Sequence, residues 1–188
     1  MRFLDYFKFK TPRKGNTNSV LFFHEDDFRQ IELVPKENIS SVKQQCTQIN
    51  DLSQDNCDCS SYTDVFIRNE NPIELAVKQI APVDLENMLT DYKFRRASEV
   101  LTGYGEKYRI SAPDTAGFGH DYAGIFYNFK GNAVNAIWLT RLEEIDQDNL
   151  ELFLNNAGLK WGLLLVDWTA TEFIDLSDRQ AIINYLEL

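Results

Sequence analysis

Apolar positions recur along this chain with two spacings, and the switches between them mark out its elements. Residues 19–23 are apolar on both faces, which predicts a strand covered on both sides. Residues 28–34 alternate, with Ile31 and Leu33 on one face and Gln30 and Glu32 on the other, as in a half-exposed strand. The two strands are expected to pair as a hairpin turning at His24, Glu25, Asp26 and Asp27, closed by Pro35. From 36 to about 53 the spacing becomes helical. Ile39, Val42, Cys46 and Ile49 share one face, and Lys and Gln crowd the other.

Residues 54–61 are polar and read as a loop, and 62–68 as a strand through Val65, Phe66 and Ile67. Asn71-Pro72 marks a helix start leading through Leu75, Ala76 and Ile80. Pro82 begins a second helix that holds Leu85, Met88 and Leu89. The segment 100–104 is strand or helix end, and 107–111 reads as strand. Residues 112–120, with their Pro, Asp and Gly, read as a loop. A hairpin is predicted from 122–129 and 133–140 across Lys130-Gly131-Asn132. An acidic helix over 146–156 turns Leu150, Phe153 and Leu154 inward, with Gly158 as its stop. A buried strand over 160–168, a short strand over 171–175 and a helix over 177–186 capped by Ser177 complete the chain. This is not the strict βα alternation of a doubly wound fold. It predicts one α+β domain over 19–188, a largely antiparallel sheet with helices packed on it.

Composition fits that picture. The chain has 188 residues, and its 13 Phe, 8 Tyr and 3 Trp supply large units of buried area. Charge is unevenly spread. Residues 1–18 form a basic, aromatic segment, expected as a short helix presenting Phe3, Leu4 and Phe7 and then a flexible stretch. That segment carries five bases against Asp5, a net of +4, so the net of −10 leaves −14 on the rest. Such a field repels phosphate backbones and speeds encounter with basic partners, so no nucleic-acid partner is expected. The one basic–aromatic patch, Tyr92 to Arg96, is expected to pair with neighbouring acids. No apolar run approaches the ~20 residues of a membrane span, and no signal-like apolar region opens the chain. A cytoplasmic protein with no membrane partner is expected.

Candidate chemistry is sparse. His24 with Glu25, Asp26 and Asp27 has the residue types of a metal or acid–base site, or of a charged, solvated turn. Strand alternation would let only alternate members converge. His120 beside Asp121, after Gly117-Phe118-Gly119, is a second candidate base, and a loop leading into a strand is the plainer alternative. Cys57-Asp58-Cys59 is spaced too tightly for a usual zinc pair, and Cys46 makes the cysteine count odd. Neither a metal nor a cofactor is expected. Trp168, beside Asp167, is either a sheet-face residue or an exposed binding anchor.

The opening Phe3-Leu4-Asp5-Tyr6-Phe7-Lys8, followed by the Phe-Phe-His-Glu-Asp-Asp-Phe core within 20–33, resembles the start of bacterial immunity proteins of polymorphic toxin systems. These accompany contact-dependent inhibition and type VI secretion effectors. The likeness extends to Leu33. It implies a non-catalytic inhibitor that binds one cognate toxin, and a basic nuclease is one kind of toxin expected. Candidate contacts, chosen on predicted exposure and charge, are Glu25, Asp26, Asp27, Asp146, Asp148, Glu151 and Trp168. The alternatives are a small metal-dependent or acid–base enzyme using His24 or His120 with nearby carboxylates, and a self-associating structural module.

Overall fold

The structure is a computed structural model, and it describes residues 19–55 and 66–187. The N-terminal segment 1–18, Cys57, Cys59 and the first half of the strand expected over 62–68 lie outside the described residues. In chain order the elements are β1 (Val20–His24), β2 (Ile31–Pro35), α1 (Ile39–Asp55), α2 (Pro82–Asp91), β3 (Glu99–Gly103), β4 (Arg109–Ser111), β5 (Thr115–His120), β6 (Ala123–Lys130), β7 (Ala133–Thr140), α3 (Gln147–Trp161), β8 (Leu163–Asp167), β9 (Glu172–Asp175) and α4 (Arg179–Leu186). The fold is α+β. A six-stranded sheet, ordered β5-β6-β7-β2-β8-β9, is antiparallel throughout. A three-stranded sheet, β1-β3-β4, has β1 parallel to β3.

Each face of the large sheet has its own cover. Ile125, Tyr127, Ile137, Leu139, Leu33 and Leu165 point to one side, where α2, α3 and α4 bring Leu85, Leu89, Leu150, Phe153, Leu154 and Ile182. On the opposite face the cover is divided. Leu21 and Phe23 of β1 and Val100 of β3 press on Phe126, Ala136 and Trp138. Val42 and Cys46 of α1 press on Val34, Leu164, Val166 and Trp168. Glu32 sits on this second face, between the two covers.

The hairpin expected between the first two strands does not form. β1 and β2 belong to different sheets, joined by a 3-10 turn at Glu25–Asp27 and by Arg29 at φ 56°. Tight hairpins favour glycine or asparagine at the tip, and Glu-Asp-Asp takes the 3-10 turn instead. A strand apolar on both faces also needs two covers. β1 finds them in Trp138 and Phe126 on one side and in Tyr122 and Arg109, which pack on Phe22, on the other.

Other boundaries shift for local reasons. Part of the expected 112–120 loop is strand β5, because its glycines answer packing: a Cβ at Gly117 would press into the Leu21 side chain. Residues 66–70 carry no regular structure, so the later half of the expected 62–68 strand is absent. The 71–80 stretch makes only a 3-10 turn, Leu75–Lys78. Helix α3 runs through Gly158 and ends at Gly162, φ 66°. Gly158 is packing-driven, since a Cβ there would overlap the Leu176 backbone. Trp161 therefore closes α3 rather than opening β8. The cap of α4 is Asp178, whose carboxylate accepts from the Ala181 amide, and not Ser177. The β6–β7 hairpin forms across Gly131-Asn132 as expected. Among the described residues no helix is long and apolar enough to cross a membrane.

Candidate functional site

The ends of β1 and β3, the start of β4 and the turn after β7 meet at one end of the molecule. There His24 caps the 3-10 turn: its Nδ1 accepts from the Asp26 amide at 3.2 Å and lies 3.4 Å from Asp26 Oδ2. The His24 ring stands edge-on to Tyr104 at 5.6 Å. Half-buried in this way, His24 orders the turn and leaves Glu25, Asp26 and Asp27 exposed together. Strand alternation does not separate them, because the turn is helical. The Glu25 carboxylate, by hydrogen bond and charge, pushes the Tyr104 hydroxyl up.

Across from this turn, Arg141 donates from Nη1 to Glu144 at 2.9 Å. Glu144 first, and then the charges of Glu143 and Asp27, outweigh desolvation and raise its pKa. Arg141 is therefore paired with Glu144, and Glu143 and Asp27 act on it only through their charge. Beneath them lies a packed base. Arg141 stacks over Tyr122 at 5.2 Å, and Arg109 donates to the Tyr122 hydroxyl at 2.6 Å and covers Phe22 at 4.6 Å. Beside the acids stands Tyr104, 66% accessible, and Tyr108 and Ile110 around β4 are exposed as well.

The remaining expected contacts divide. Asp146 is the N-cap of α3 and accepts from the Asn149 amide at 3.0 Å, and Asp148 is exposed in the first turn. Glu151 is withdrawn: it pairs with Arg179 and ties α3 to α4. Trp168 is not an exposed anchor. It is 5% accessible, packed under α1, and its indole N–H donates to Glu32 Oε1 at 2.9 Å. His120 is exposed at the end of β5, 3.7 Å from Asp121 Oδ2, and among the described residues no further acid lies within ion-pair distance. Among the described residues no group of three His, Cys, Asp or Glu could hold a metal ion. In the basic–aromatic patch Arg96 pairs with Glu86 at 3.0 Å, while Tyr92 and Phe94 pack against the core.

A second polar site was not foreseen. Glu32, 3% accessible, receives Arg29 Nε at 2.5 Å and the Trp168 indole, and has Arg68 Nη1 at 3.7 Å. Arg68 stacks on the Trp168 ring at 4.8 Å and donates to the Arg29 carbonyl at 3.1 Å. The network lies where the two covers part. β2 stays with β8 through Pro35 but pairs with β7 only as far as Leu33, and the split opens a groove of about 550 Å³. A smaller gap of about 280 Å³ adjoins it and shares Arg29, Glu32, Glu70 and Asn71. The one local signal is Val34, apolar on the Glu32 face, which marks that face as covered. Comparison of the chain with protein-family models, with curated proteins and with solved structures found no match.

Proposed function

We propose that this chain is a non-catalytic immunity protein that neutralises a basic bacterial toxin domain in the cytoplasm through its acidic end. The observation that carries the proposal is the juxtaposition of Glu25, Asp26 and Asp27 with Glu143, Glu144 and exposed Tyr104 on one packed base. Exposed acids steer a basic partner into contact, and an exposed aromatic supplies the apolar area that holds it. Glu25, Asp26 and Asp27 have no lysine or arginine within 4.0 Å among the described residues, so their charge remains available to a partner. Asp146 and Asp148 extend the same field along the chain.

The test begins with the adjoining gene. The proposal expects it to encode a large protein with a variable C-terminal toxin domain, and a metabolic neighbourhood would sink the idea. Co-expression with that domain should restore growth. The D26K/D27K double variant should slow association by roughly tenfold at low salt, as expected for loss of electrostatic steering. Unchanged association of this variant would remove the acidic end from the interface.

A further inference from the structure

The Glu32 network has more cation than it can neutralise. Both Glu32 oxygens are taken, Oε2 by Arg29 and Oε1 by the Trp168 indole with Arg68 alongside. One carboxylate thus serves two guanidinium groups. Among the described residues, the terminal nitrogens of Arg29 and the Nε and Nη2 of Arg68 find no acceptor. Burial lowers the pKa of Arg68 and the neighbouring Arg29 lowers it further, while Glu32 opposes both. Glu70 also lines the gap but is exposed and lies beyond 4.0 Å from either guanidinium, so water screens its charge.

We propose that the gap of about 280 Å³ above Glu32 binds a small carboxylic acid with an apolar body. Its carboxylate would lie between the free N–H groups of Arg29 and Arg68, and its body against Phe28. Planar guanidinium forks match a carboxylate in two-point geometry. The volume fits a small ligand, near the low end of the usual pocket range. Phe28, 40% accessible, supplies an apolar wall, and Arg68 is held against Trp168 by its stacking. The nearby carboxylates of Glu32 and Glu70 penalise a doubly charged phosphate relative to a singly charged acid. The site adjoins the acidic end, since Phe28 and Arg29 directly follow the Glu25–Asp27 turn, but its ligand test needs no toxin.

The experiment is a titration of the isolated protein with benzoate, acetate and inorganic phosphate. Ionic strength is held constant with sodium chloride. The readout is the indole N–H resonance of Trp168, assigned with W168F, because that proton is bonded to Glu32. Benzoate should shift it saturably and bind more tightly than acetate or phosphate. R29Q should weaken benzoate by about tenfold or more, the worth of a charge-assisted hydrogen bond. R68K, which keeps the charge and loses the fork, should do the same. Preserved Trp138 and Trp161 resonances show that each variant is folded. A linear drift with no saturation overturns the proposal. So does benzoate binding unchanged in folded R29Q, or phosphate binding tighter than both carboxylates.

Discussion

Glu32 shows how one residue changes meaning with its cover. In an alternating strand it belongs to the solvent face, yet α1 and the small sheet close over that face and leave it 3% accessible. A carboxylate there survives because Arg29, Arg68 and the Trp168 indole surround it. Its removal is predicted to be costly, since it leaves two guanidinium groups facing each other. Glu32→Gln keeps the shape and should destabilise the protein by about 3 kcal/mol, read as a lower urea midpoint. Adding Arg68→Met should return part of that loss, because the two residues act on one network. Equal and additive losses would show that Glu32 and Arg68 are not coupled. The network was illegible in the sequence because its members come from positions 29, 32, 68 and 168, with no shared period. Trp168 beside Asp167 invited an exposed reading. The Asp167 carboxylate is in fact turned to the Thr169 and Ala170 amides and the Tyr185 hydroxyl.

Elements were most legible where one period ran undisturbed. The alternation of 122–129 and 133–140 and the helical spacing of Ile39, Val42, Cys46 and Ile49 both correspond to what forms. Glycine misled where it serves packing instead of turning. Gly158 lies inside α3 against Leu176, and Gly117 lies inside β5 under Leu21. The partition of β1 and β2 between sheets was hidden because pairing partners 79 residues away leave no local trace. One long-range tie makes a pH prediction. Lys36, just after β2, donates to Asp175 of β9 at 2.5 Å. Burial raises the Asp175 carboxyl, but Lys36 with the Ser177 hydroxyl and amide outweigh it and hold the pKa below the usual aspartate value. A carboxyl depressed on folding contributes stability above its unfolded value and loses it as pH falls through the folded one. Asp175→Asn should therefore flatten the stability curve below about pH 4 and leave the protein less stable than the parent at pH 7. Urea midpoints at a series of pH values check this, and parallel curves for parent and variant would refute it.

At the scale of the whole molecule, one charge distribution has two opposite consequences. The chain carries −10 overall, concentrated outside a basic N-terminal segment. Negative charges crowd one another in the compact state, so like-charge repulsion works against folding. Salt screens that repulsion, with a Debye length falling from about 30 Å at 0.01 M to about 8 Å at 0.15 M. Several ion pairs among the described residues are exposed, such as Arg141 with Glu144 and Arg96 with Glu86, and each is worth little at the surface. Relief of repulsion should therefore win, and Tm should rise by about 2 to 4 °C over that range, about 1 kcal/mol for a chain of this size. The same screening weakens long-range attraction between the acidic end and a basic partner. Association should slow by roughly tenfold or more over the same range, with dissociation much less affected. The two slopes have opposite signs because one reports the chain's charges on each other and the other reports their reach into solution. Thermal melts and stopped-flow association in matched buffers measure both. A falling Tm would assign the stability to surface ion pairs instead, and a salt-independent association rate would place partner contact away from Glu25, Asp26 and Asp27.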